Sequence, residues 1–180
     1  VNSQFFLSDE PSYGTMVYDG TIFNNIELQY DLFAQKIIVL MESKRTAEYV
    51  SIDKDKVAEF SVNDCRFVNV RQDSIMEDGI YQLAFEGKKS NVYIKRIKKR
   101  IEKVDNSKLI IQFSPISHYY IKNEFGSYKV SGKKDVLFAY QNSNTFKSML
   151  KQKKIKFFKS VKEQGIINAV SLFDSELATN

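Results

Sequence analysis

Along the first 130 residues, short β-prone runs follow one another with turn signals between them and no intervening helical pattern. Asp19-Gly20 separates two short β-prone runs, 16–18 and 21–23; Asp and Gly tolerate the positive φ of a two-residue hairpin. Asn24-Asn25 offers a second turn, after which Ile26, Leu28 and Tyr30 alternate with Glu27, Gln29 and Asp31, the pattern of a half-buried strand. Within residues 36–41 the continuous apolar run at 37–41 is expected of a strand buried on both faces or of a sheet centre. Further strands are expected at 48–52, 57–62, 66–71, 80–85, 92–94, 109–113, 119–122 and 128–130. Strands joined by turns alone imply antiparallel neighbours.

The pattern changes after Ser131. Val136, Leu137 and Tyr140 suit a short helix, and Asn144 or Thr145 is the expected cap of a second that carries Phe146, Met149 and Leu150 on one face. Ser160 and Glu163 have the spacing of a capping box. Beyond them Ile166, Val170, Phe173 and Leu177 form an apolar helical stripe that should pack on the sheet. The expected fold class is therefore α+β: a mainly antiparallel curled sheet or sandwich over about 12–130, with two or three helices over about 132–177. At 180 residues the whole chain suits a single domain, its 1–130 β region covered by a helical tail from 131 to 180. Its longest aliphatic run is far short of the ~18 residues of a membrane span.

A net charge of +5 conceals a strong asymmetry: residues 1–87 carry 7 Lys/Arg against 15 Asp/Glu, whereas residues 88–162 carry 20 against 4. Acidic and basic strands neutralising each other across one sheet is the simplest expectation. The basic half includes NVYIKRIKKRIEKV, residues 91–104. A helical stripe through Ile94, Ile97, Ile101 and Val104 competes there with strand alternation. The β-branched aliphatics and the turn before them favour a strand, bulged near Arg96 and irregular before Asp105-Asn106-Ser107. Its lysines suit an edge strand that repels intermolecular pairing. The alternative use is a face for an anionic partner made of Lys95, Arg96, Lys98, Lys99 and Arg100. Nucleic acid is the weaker version, since Tyr93 is the one obvious stacking residue and no nucleic-acid-binding motif accompanies the cations. The six lysines of 147–159 have a broken apolar stripe, so two elements meeting near 153–156 are expected, not an interfacial helix.

Catalytic chemistry has little to work with. His118 is the sole histidine, in a strand-like context, and Cys65 the sole cysteine, expected as a buried structural thiol. Asp53 and Asp55 are expected in a solvated turn, without the glycine and distal glutamate of a calcium loop. No phosphate-binding loop, nucleophile elbow or metal-ligand spacing occurs, so neither catalytic residues nor a cofactor are expected. Tryptophan, the usual sugar-stacking platform, is absent.

The stretches FFLSDEPSYGTMVYDGTIFNNIELQYDLF, KDKVAEFSV, GIYQLAFEGKKSNVYIKR and YYIKNEFGSYKVSGKKDVLFAY, with the closing helices, span most of the chain. In their order and texture they resemble an uncharacterised family of exported, β-rich envelope proteins of Gram-negative bacteria with a short helical C-terminus. The resemblance implies export to the periplasm or cell surface and brings no activity or cofactor with it. A start at Val1, with no Met, fits a processed form. The expected function is a non-enzymatic binding or interaction module whose partner is an unknown protein or envelope component. A small apolar-ligand carrier, with the ligand enclosed by a curled sheet, and a polyanion binder acting through residues 95–100 are the alternatives.

Overall fold

The computed structural model describes residues 3–42, 46–105 and 108–176. Ten strands form one antiparallel sheet: β1 (Ser12–Tyr18), β2 (Thr21–Asp31), β3 (Lys36–Glu42), β4 (Ala47–Ser51), β5 (Val57–Val62), β6 (Cys65–Val70), β7 (Gly79–Glu86), β8 (Ser90–Asp105), β9 (Lys108–Asn123) and β10 (Gly126–Val130). Three helices follow: α1 (Lys133–Ala139), α2 (Asn144–Gln152) and α3 (Lys162–Glu176). The strand order is β10-β9-β8-β7-β6-β5-β1-β2-β3-β4, so β10 and β4 are the edges and the sheet does not close. The expected α+β class is the observed one. Leu177, Asn106, Ser107 and Val1 lie outside the described residues.

The chain groups into two compact units, and β6, β7, β8 and β9 each run from one into the other. The first unit holds residues 1–69, 79–81 and 96–117. Its core is built from alternating residues on one face of the sheet: Met16 of β1, Leu28 and Tyr30 of β2, Ile37 and Val39 of β3, Phe60 of β5 and Phe67 of β6. Phe60 and Phe67 pair directly across β5 and β6, and their rings stack at 5.0 Å. Burial among these rings pushes the Tyr30 hydroxyl well above its ordinary pKa, reinforced by the negative charge of Asp31.

The second unit holds residues 70–78, 82–95 and 118–180. Val92 and Ile94 of β8, Ile121 of β9 and Val130 of β10 pack with Val136, Phe146, Leu150, Ile166 and Val170 of the helices. The α3 stripe therefore lies on the sheet as its spacing indicates. The Asp174 carboxylate on α3 is buried and accepts three backbone N–H groups of the β7–β8 turn, from Lys88, Lys89 and Ser90, at 2.7–2.9 Å. A Cβ on Gly87 would lie 2.5 Å from the Asp174 carboxyl carbon, so only glycine lets the turn close around it.

Several local expectations are corrected. Asn24-Asn25 is not a turn; both residues lie inside β2. The strands expected at 109–113 and 119–122 are one strand, β9, running through Pro115. β8 is not an edge strand, since it lies between β7 and β9, and it runs unbroken to Asp105. Its register shift against β7 falls between Leu83 and Phe85 of β7. The apolar run in β3 sits one strand in from an edge; Ile37 and Val39 are buried but Met41 is exposed. α2 is capped by Ser143, whose hydroxyl accepts from Phe146 N–H at 3.3 Å, one residue before the expected position. Ser160 lies within a 3-10 turn, Lys159–Val161, that leads into α3, and Glu163 accepts from the Tyr119 hydroxyl. Between these elements α2 stops at Gln152 and Lys154 has φ 52°, so the lysine-rich segment does break where its stripe fails.

Candidate functional site

The inner face of the first unit is not filled to its end. The register of β1 on β2 pairs Met16 with Phe23 and Gly14 with Ile26, so Thr15 alone stands opposite both Asn24 and Asn25. This is a β-bulge, and Asn25 supplies the left-handed backbone it needs, at φ 53°. In a regular strand Phe23 and Ile26, three residues apart, would point to opposite faces. The extra residue brings both onto the face of Met16 and Tyr18. Thr15 compensates for the interrupted ladder by donating its N–H to Ser61 Oγ at 2.9 Å. β1 and β5 approach closely beside it: a Cβ on Gly14 would lie 1.9 Å from the Ser61 carbonyl oxygen.

The consequence is an apolar cleft of about 350 Å³. Met16 and Val39 form its buried floor, and Tyr18, Ile26 and Ile52 continue it from the core. Phe23 and Met41 stand at the mouth, 43% and 55% exposed, with Leu40 and Glu42 completing the lining. Glu42 is the one charged residue among these nine. Side chains from β1, β2 and β3 and the residue after β4 thus converge, and their chemistry offers dispersion and apolar burial. Two more open depressions lie in the second unit, one of about 240 Å³ lined mainly by polar groups such as Lys88, Lys89, Asn91 and Lys122, the other of about 340 Å³ where Ile155 and Leu172 mix with Lys153, Asn168, Ser171 and Ser175.

The five basic residues singled out in β8 do not form one free face. Strand alternation places Arg96, Lys98 and Arg100 on one side and Lys95 and Lys99 on the other. Arg96 donates to Ser117 Oγ at 2.9 Å, and Arg100 pairs with Glu102 at 2.8 Å. Lys98 is half-buried: its ammonium donates to the carbonyls of Ser3 at 2.7 Å and Phe5 at 2.6 Å, while its backbone N–H bonds Leu32 O. Desolvation lowers its pKa, opposed by the charges of Asp9 and Asp31. Lys99 is exposed and Lys95 half-buried. Basic β8 also borders β7 and β9 rather than the acid-rich strands β2–β4.

Other polar candidates are engaged in building the fold. Asp53 caps a 3-10 turn by accepting from Asp55 N–H at 2.9 Å, in keeping with a turn rather than a paired-carboxylate site. Cys65 is half-buried at the start of β6 and packs against the first core. His118 is half-buried in β9. Asp73, 3% exposed, accepts from Ile75 and Met76 N–H, Ser127 Oγ and Lys122 Nζ. Burial would raise its pKa, but these four donors outweigh it and hold the carboxyl far below its usual range. Among the described residues no three His, Cys, Asp or Glu side chains gather as a metal site, and no helix is long and apolar enough to cross a membrane.

Fold and cleft together define an α+β protein with an apolar recess on one face of an open antiparallel sheet. No protein-family model, curated protein or solved structure matches the chain.

Proposed function

We propose that the protein is a non-enzymatic binding module that takes a small apolar or amphiphilic molecule into the cleft bounded by Phe23, Ile26 and Met41. The cleft itself carries the reading: about 350 Å³ lies within the range of small-molecule sites, and eight of its nine lining residues are apolar or aromatic. The placement of Phe23 by a bulge supports it further. A strained backbone residue is retained where it turns an aromatic side chain toward the recess. A non-enzymatic role fits the way Asp53, Asp73 and Asp174 are each committed to holding a turn. An envelope location belongs to the same proposal, suggested by the sequence resemblance, and cell fractionation of the tagged full-length protein tests it separately.

The binding test is titration of a fluorescent fatty acid into the purified protein, with native mass spectrometry of the material as isolated. Saturable binding is expected, and Met41→Asp at the mouth should weaken it about tenfold or more, since a charge there forfeits apolar contact. Because Met41 is exposed, the variant should melt like the parent. Absence of saturable binding by any apolar probe, or affinity unchanged in Met41→Asp and in the cleft-filling Ile52→Trp, defeats the proposal.

A further inference from the structure

A second feature of the first unit lies apart from the cleft. Every described residue of β8 from Lys99 to Asp105, and of β9 from Lys108 to Gln112, is exposed. In a strand that packs on a core, alternate residues are covered; here neither face is. The apolar residues fall on both faces, because Ile101 and Val104 differ in parity on β8, as do Leu109 and Ile110 on β9. Val104 is 76% exposed and Leu109 59%. Interleaved with them are Lys99, Arg100, Lys103 and Lys108 against Glu102 and Asp105, a net charge of +2.

We propose that this ribbon is a membrane-surface anchor that inserts into the interfacial layer of a bilayer containing anionic lipid. Two observations select that occupant. A folded partner would cover one face of a two-stranded ribbon, whereas the interfacial layer surrounds both, as apolar side chains on both faces require. The cations on long flexible stems complement anionic headgroups while their neighbours enter the acyl boundary. Insertion is shallow, since a two-stranded ribbon has free backbone groups that need the water of the headgroup region. The proposal does not depend on what occupies the cleft.

The test uses the whole chain and the absence of native tryptophan. Val104→Trp places a single indole on the ribbon at an exposed position, where the substitution leaves the core packing untouched. Its emission should shift to the blue on mixing with phosphatidylcholine–phosphatidylglycerol vesicles, respond weakly to pure phosphatidylcholine, and recover as salt is raised. In flotation assays, Val104→Asp with Leu109→Asp should reduce vesicle binding about tenfold or more at unchanged far-ultraviolet circular dichroism. No shift on any vesicle, or an equal shift on neutral and anionic ones, overturns the proposal. So does a solution dimer that the same double variant dissolves, or salt-sensitive binding of duplex nucleic acid without vesicle binding.

Discussion

Asn25 permits a sharp test of how the cleft is made. Its side chain is exposed and its φ is 53°, so substitutions there act through the backbone and not through lost packing. An L-residue in left-handed geometry costs roughly 1–2 kcal/mol; asparagine tolerates it better than most, glycine carries no such cost, and a β-branched residue carries the most. Asn25→Gly should therefore leave stability within about 0.5 kcal/mol of the parent, whereas Asn25→Val should lose about 1–2 kcal/mol. At about 2–4 °C per kcal/mol for a chain of this length, the valine variant should melt roughly 2–8 °C lower. Urea titration followed by tyrosine fluorescence and circular dichroism measures the difference directly. The cleft adds a second readout. If valine relaxes the bulge, Phe23 leaves the inner face and fatty-acid affinity falls with stability, while Asn25→Gly binds like the parent. Equal stabilities for Gly and Val would show that position 25 does not hold the left-handed conformation. Lower stability with unchanged affinity would show that the bulge does not place Phe23 at the mouth.

Two further outcomes follow from the polar network. Lys98→Met keeps the aliphatic stem but strips two carbonyls of their charged donor; a urea-midpoint loss equivalent to about 1–2 kcal/mol is expected, reduced from the fully buried value because the site is half-exposed, and no loss would deny the ammonium its structural role. For Asp73, whose folded pKa lies below the ordinary 3.8, ionisation contributes stability that is complete above that value and is lost as pH falls toward the folded pKa; acid unfolding curves should show Asp73→Asn less stable at neutral pH with a flatter acid limb, and parallel curves would refute the assignment.

What was legible in the sequence is what local chemistry decides. Asp19 and Gly20 have φ 48° and 76°, the hairpin geometry that these two residue types tolerate, and the strand expected at 57–62 has those bounds. Ile166 and Val170 reach a core because a helix with that spacing has no other way to bury them. The errors share one physical origin: the same residue serves two local structures, and the neighbouring strand chooses. Asn24-Asn25 suits a turn or a bulge equally, and pairing with β1 on both sides of the dipeptide selects the bulge. The strands expected at 109–113 and 119–122 join through Pro115: β10 pairs with β9 only along Tyr119–Asn123, so the missing N–H of Pro115 falls beyond the reach of that neighbour. Strand alternation already divides the basic residues of β8 between two faces; what the sequence does not record is that Lys98 turns inward to the carbonyls of a segment 93 to 95 residues away. The cleft was hidden for the same reason. Neither Phe23 nor Met41 is distinctive in its own stretch, and Phe23 reaches the recess because a single inserted residue in β2 changes which side of the sheet it faces. That makes the bulge, more than any side chain lining the cleft, the element on which a binding function here depends.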